Sequence, residues 1–212
     1  MRAELDLPLA RAYLDPDTLS RSDAELIPRL LADPATLILP MTEQGHIPVE
    51  NGRIRLVPTG EFAAGDLTGA VPIFLGWSPD GPAVVGAAGV DCDGVDLRRE
   101  LAHLEADDLS MAVPALALAN WHRLYRYCPR CGSATHVTNS GWVRRCVTCA
   151  SELFPRTDPA VIMAITDAEG RLLLAHAALF PPRRYSTIAG YVEPGESLEH
   201  AVVRETKEEV GL

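Results

Sequence analysis

The chain has 212 residues, 47% of them hydrophobic, with 19 Lys and Arg against 29 Asp and Glu for a net charge of −10. This is the composition of a soluble globular protein, long enough for one large domain or two small ones. The negative charge excludes broad, non-specific attraction to nucleic acid or anionic membranes, so a nucleotide partner needs a local arginine patch or a bridging cation.

The first twenty residues mix acids, prolines and single apolar residues, without the unbroken apolar run of an export signal. The most apolar run elsewhere, 113–119, is too short to cross a bilayer. The expected location is the cytoplasm, with no membrane partner. Residues 1–95 read as a strand-rich α+β domain. Residues 37–39 form a short apolar run, and Asn51-Gly52 stands between two extended runs, a strong hairpin signal. A second hairpin is expected where residues 73–77 and 83–85 flank Ser78-Pro-Asp-Gly-Pro82. No polar constellation gathers in this part, which reads as a packing or dimer-forming domain.

Residues 96–125 turn helical, with Leu97, Leu101 and Leu104, then Leu116, Leu118 and Trp121 at helical spacing. Pro114 is expected to start a second helix or to kink a single long one. This segment reads as a connector.

Residues 126–155 contain Cys128-Pro-Arg-Cys131 and Cys146-Val-Thr-Cys149, two C-x2-C knuckles separated by fourteen residues. In a chain without an export signal this pairing points to four thiolates on a tetrahedral structural zinc, with the intervening residues folded into a hairpin that turns at 139–141. His136 reads as a solvent-facing strand residue because four thiolates already fill the shell. Cys92, without a partner, reads as a small buried apolar residue. Arg123, Arg126, Arg130, Arg144 and Arg145, with Tyr125 and Tyr127, crowd the ribbon and its approach. Such a patch suits RNA or a nucleotide phosphate, and equally a solvated rim or a subunit contact.

Residues 156–212 begin with a strand at 161–165, a turn at 167–170, a second strand at 172–174 and a loop at 181–184 before 187–189. Six glutamates fall in the last twenty residues. Ser197 is a helix cap and Gly211 a helix stop. At about 100° per residue Glu205, Glu208 and Glu209 share one face, with Val203, Thr206 and Val210 on a neighbouring stripe suited to packing on a sheet. Carboxylates so close repel. Either Arg204 and Lys207 neutralise a solvated acidic face, or a hard divalent cation, Mg2+ or Mn2+, sits among the carboxylates.

From Gly190 the chain reads G, five residues, Glu196, seven residues, Arg204-Glu205-Thr206-Lys207-Glu208-Glu209-Val210-Gly211-Leu212. This resembles the Nudix box, departing only at Thr206, where an aliphatic residue is usual. With the preceding ribbon and the 154–162 segment, the chain from about Tyr127 onward resembles the NADH pyrophosphatase family of Nudix hydrolases. The resemblance implies the first strands of a Nudix α/β/α sandwich, a homodimer, structural zinc on Cys128, Cys131, Cys146 and Cys149, and catalytic Mg2+ or Mn2+ on Glu205, Glu208 and Glu209. It also implies that Arg204 orients the glutamates, Gly190 allows close backbone approach, and Glu196 supports the loop and reaches toward a second metal. Tyr191 and Phe154 are then aromatics for nicotinamide or adenine, or core residues. The activity implied is cleavage of NADH or NAD+ into nicotinamide mononucleotide and AMP, and removal of NAD caps from RNA. The family pattern continues past the box with further strands, a final helix and an SQPWPFP array, so residues 156–212 read as an incomplete, truncated Nudix domain. Competing expectations are an inactive zinc-ribbon remnant that dimerises or binds RNA, and a Nudix hydrolase for another nucleoside diphosphate derivative such as ADP-ribose.

Overall fold

The computed structural model describes residues 13–212 except 63–64, 80 and 101–102. Residues 1–12 of the N-terminal stretch, Asp80 of the second turn and Leu101 of the helical pattern thus lie outside the described residues. The chain divides into two compact units, Met1–Pro155 and Arg156–Leu212. No helix among the described residues is long and apolar enough to cross a membrane.

The first unit is built on a mixed four-stranded sheet in the order Val57–Pro58, Leu37–Met41, Ala83–Ala88, Val71–Trp77. Leu37–Met41 runs parallel to Ala83–Ala88, and the other pairings are antiparallel. Both faces of this sheet are covered. Leu39, Met41, Ile73, Leu75 and Val84 pack with Ala112, Ala115 and Leu118 of the long helix Ala106–Leu124. Ile38, Phe74 and Val85 pack with Leu26 and Leu30 of the helix Leu26–Ala32. Burial on both faces explains why these strands are continuous apolar runs rather than alternating ones.

Both expected hairpins are present. Val49–Glu50 pairs with Arg53–Ile54 across Asn51 and Gly52, whose φ values of 52° and 74° are those of a type I′ turn. Val71–Trp77 pairs with Ala83–Ala88. Asp108, buried in the long helix, fixes the first hairpin: its Oδ2 accepts from Arg53 Nε at 2.6 Å and from the Ile54 amide at 3.3 Å.

Of the two alternatives for Pro114 the structure has the single long helix, Ala106–Leu124, which runs through it. The burial of Met111, Ala112, Ala115 and Leu118 around it outweighs the local cost of about 3 kcal/mol of an interior proline. The expectations for Cys92 and for residues 172–174 need correction. Cys92 is only half-buried. In the second unit, residues 172–174 form no strand: a single bridge joins Thr166 and Leu172. The two-stranded antiparallel sheet there is Ala160–Met163 with Ile188–Tyr191.

The ribbon is seated on the sheet of its own unit. Its hairpin, Thr135–Thr138 with Val143–Cys146, gains a third strand, Glu152–Leu153, that sequence reading did not anticipate. Trp142 Nε1 donates to the Phe74 carbonyl at 2.7 Å, and the Arg21 guanidinium lies 3.7 Å above the Trp142 ring. At Gly141, with φ of 95°, a Cβ would meet the Pro72 carbonyl oxygen at 2.8 Å and Ile73 Cα at 2.7 Å. Replacing Gly141 with alanine therefore combines an unfavourable backbone conformation with a backbone clash, and should destabilise the first unit by about 3 kcal/mol. Thermal or denaturant unfolding of the variant against the parent measures the loss.

Candidate functional site

Two clusters of metal-type ligands were expected from the sequence, and they differ in geometry. The four cysteine sulfurs converge. Cys128 and Cys149 stand 3.7 Å apart, Cys131 and Cys146 3.4 Å, and Cys131 and Cys149 3.6 Å. Four sulfurs at about 2.3 Å from a tetrahedral zinc would be about 3.8 Å apart, so the thiols fit that ion. The amides of Thr148 and Cys149 both point at Cys146 Sγ, each at 3.4 Å, which favours the thiolate that zinc requires. His136 is exposed on its strand, as expected. Replacing Cys146 with serine should abolish stoichiometric zinc retention and lower the melting temperature of the first unit; metal analysis of dialysed protein alongside calorimetry tests both.

The glutamate site is built on the helix Leu198–Val210. Ser197 caps its start, Oγ accepting from the His200 amide at 3.2 Å, and Gly211 closes it at φ of 72° with its N–H on the Lys207 carbonyl. The helix packs on the two-stranded sheet of its unit through Ala201, Val202 and Val210. Val210 of the expected stripe packs there, whereas Val203 is 66% exposed and Ala201 and Val202 make the contact in its place.

Arg204 is the hub. Its Nε and Nη2 donate to the two oxygens of Glu196, each at 2.9 Å. Nη1 donates to Glu205 Oε1 at 2.8 Å and to Glu208 Oε2 at 3.1 Å, and Nη2 also donates to the Tyr191 carbonyl at 2.9 Å. These five bonds use every N–H of the guanidinium. The carboxylates hold its pKa well above the ordinary arginine value, Glu196 contributing most. Reciprocally, Arg204 and the Glu193 amide hold Glu196 below the ordinary glutamate range.

Glu196 bridges loop and helix: Oε1 accepts from Arg204, and Oε2 from Arg204 and the Glu193 amide. It is thus tied to the loop through three of its four acceptor positions, the fourth remaining on Oε1. Glu205 and Glu208 each give one oxygen to Arg204. Gly190 makes this possible, because a Cβ there would occupy the place of the Glu205 carboxyl group. Glu209 is exposed and is not drawn into the network. Among the described residues only the cysteine sulfurs converge as a group of three or more metal-type ligands. The carboxylates still fit a hard divalent cation by chemistry, being oxygen donors within one helical turn that retain uncommitted oxygens. Tyr191 and Phe154 are 70% and 60% exposed, so neither is a core residue here. The Tyr191 carbonyl was the contributor to this site that sequence reading missed; a backbone acceptor leaves no compositional signal.

Because Arg204 stabilises the ionised form of Glu196, its contribution to stability is complete above the ordinary glutamate value of about 4.3 and is lost as pH falls through the lowered folded value. Carboxyl-detected NMR titration should find Glu196 below that value in the parent and returned close to it in Arg204→Ala.

A family model described as NUDIX domain matches residues 156–212, and one described as NADH pyrophosphatase zinc ribbon domain matches residues 123–154. Among curated relatives, "NAD-capped RNA hydrolase NudC" of Mycobacterium tuberculosis is 35% identical over 212 residues, covering 92% of this chain and 67% of that protein. The protein of the same name from Stutzerimonas stutzeri is 36% identical over 160 residues, 76% of this chain and 55% of the relative. "Nudix hydrolase 19, chloroplastic" of Arabidopsis thaliana is 45% identical over 109 residues, half of this chain and 25% of the relative. The chain thus spans between a quarter and two thirds of the length of these relatives.

Proposed function

The chain belongs to the Nudix hydrolases that carry an NADH pyrophosphatase zinc ribbon, and on that premise we propose that it hydrolyses the pyrophosphate of NADH or NAD+ to nicotinamide mononucleotide and AMP. The same reaction on the 5′ end of RNA would remove an NAD cap, the activity named for the bacterial relatives. The observation that carries this reading is the Arg204 hub, which gathers Glu196, Glu205 and Glu208 around a single guanidinium at the end of the Nudix match.

A dinucleotide's pyrophosphate is anionic and would be repelled by bare carboxylates, so the division of labour matters. Glu196 anchors Arg204 to the loop, and Arg204 in turn sets the side chains of Glu205 and Glu208. Gly190 clears the space that Glu205 needs. Glu205, Glu208 and Glu209 would hold Mg2+ or Mn2+, which would neutralise the pyrophosphate and lower the pKa of a bound water. Water adds at one phosphorus, the bridging P–O bond breaks, and two phosphomonoesters leave. Tyr191 and Phe154, each exposed, offer stacking faces for the nicotinamide or adenine ring.

On this reading residues 1–95, 96–125, 126–155 and 156–212 serve as scaffold domain, connector, zinc ribbon and catalytic segment of a cytoplasmic homodimer. Incubation with NADH and Mn2+, with products resolved by chromatography, tests the activity. AMP and nicotinamide mononucleotide should appear in equal amounts, and Glu209→Gln should slow their release by about 100-fold or more. Zinc-loaded, folded protein that releases no AMP would instead support a dimerisation or RNA-binding role, and faster turnover of ADP-ribose would reassign the substrate.

A further inference from the structure

Arg144 is a charge that the zinc site does not account for. The residue is 7% exposed, yet its hydrogen-bond partners are all neutral. Nε donates to Thr135 Oγ1 at 2.7 Å, Nη2 to the Thr135 carbonyl at 3.0 Å, and Nη1 to His122 Nδ1 at 3.0 Å. His122 is buried too, and its other nitrogen, Nε2, donates to the Gly141 carbonyl at 2.8 Å. Burial lowers its pKa to about 4, with the charge of Arg144 adding to the effect, so the ring is neutral and can accept from the guanidinium. Three of the five N–H groups of Arg144 are thereby used, leaving one on each terminal nitrogen. Among the described residues, no carboxylate forms an ion pair with Arg144, Arg123 or Arg126.

An uncompensated buried charge is costly. Arg144 reaches the wall of a cavity of about 390 Å3, within the range of about 300–1,000 Å3 usual for small-ligand pockets. Asn120 and Arg123 from the end of the long helix, and Arg126 just beyond it, line the cavity with Arg144. Thr42 and Glu43, next to the strand Leu37–Met41, line it as well. Three arginines against one acid make a local positive site in a chain of net charge −10. Exposed arginines near a helix C-terminus are explained by the helix dipole. A buried one on a ribbon strand is not.

The geometry points to an oxyanion site: this cavity binds a phosphate group, with Arg144 at its base and Arg123 and Arg126 closing on the exposed side. Guanidinium groups suit the class, since their paired N–H groups match phosphate oxygens in bidentate fashion. The phosphate belongs either to a small phosphomonoester or to the backbone of an RNA. The site lies wholly within Met1–Pro155 and is independent of the chemistry proposed for the glutamate helix.

Calorimetric titration of the zinc-loaded protein with inorganic phosphate, at fixed chloride and without other divalent ions, tests the proposal. Saturable binding is expected. Arg123→Gln and Arg126→Gln, both at exposed positions and compatible with folding, should each weaken it about tenfold or more. Arg130→Gln, an exposed ribbon arginine outside the cavity, should leave it unchanged. Displacement by ribose 5-phosphate but not by a 5′-hydroxyl oligoribonucleotide identifies a phosphomonoester site; displacement by the oligonucleotide identifies a backbone site. Absence of saturable phosphate binding overturns the proposal, as do unchanged affinity in the Arg123 and Arg126 variants or equal weakening by Arg130→Gln.

Discussion

The glutamate helix is tolerable because a guanidinium stands among its carboxylates. Glu205, Glu208 and Glu209 lie within one turn, where like charges destabilise a helix by a few tenths of a kcal/mol per pair. Arg204 offsets this with charge-assisted bonds to Glu205 and Glu208, and its own position is fixed by both oxygens of Glu196 and by the Tyr191 carbonyl. Loop, strand end and helix are thereby tied to one side chain. That accounts for the spacing of the motif: seven residues between Glu196 and Arg204 carry the chain around the Ser197 cap and onto the face where the two side chains meet.

The ribbon solves a related problem with different parts. Its hairpin is too small to bury a core, and four thiols brought to within 4.8 Å of one another must find a common partner. Zinc is one source of stability. The sheet is the second, through Trp142 on the Phe74 carbonyl, Arg21 over Trp142, and the close approach of Gly141 to Ile73. Val71–Trp77 ends the sheet order, so this packing also covers part of an edge strand that would otherwise present unpaired backbone groups.

What was legible in the sequence was local. Asn51-Gly52 marked a hairpin because both residues accept positive φ, the cysteine pairs marked a metal ribbon, and Ser197 and Gly211 bounded the last helix. What was not legible depended on tertiary burial. The choice between two helices and one at Pro114 fell to one because the surrounding turns are buried, and of the expected stripe Val210 packs on the sheet while Ala201 and Val202 take the place of Val203. The union of His122 with Arg144 joins positions 22 apart, and neither residue alone signals the other. Glu196 was legible as part of the motif, but that both its oxygens accept from Arg204, with the Glu193 amide on one of them, is a matter of geometry alone.

Arg204 and Arg144 show how the same side chain takes opposite roles according to what surrounds it. Arg204 uses all five of its N–H groups, four of the five bonds going to carboxylate oxygens. Nothing is left for a ligand, so its influence on one must pass through Glu205 and Glu208, which retain an oxygen each. Arg144 spends three N–H groups on a hydroxyl, a carbonyl and an imidazole, none of which neutralises it. Its charge remains available at the wall of a cavity. A saturated guanidinium organises other charged groups, whereas an unsaturated and buried one is itself a place for an anion.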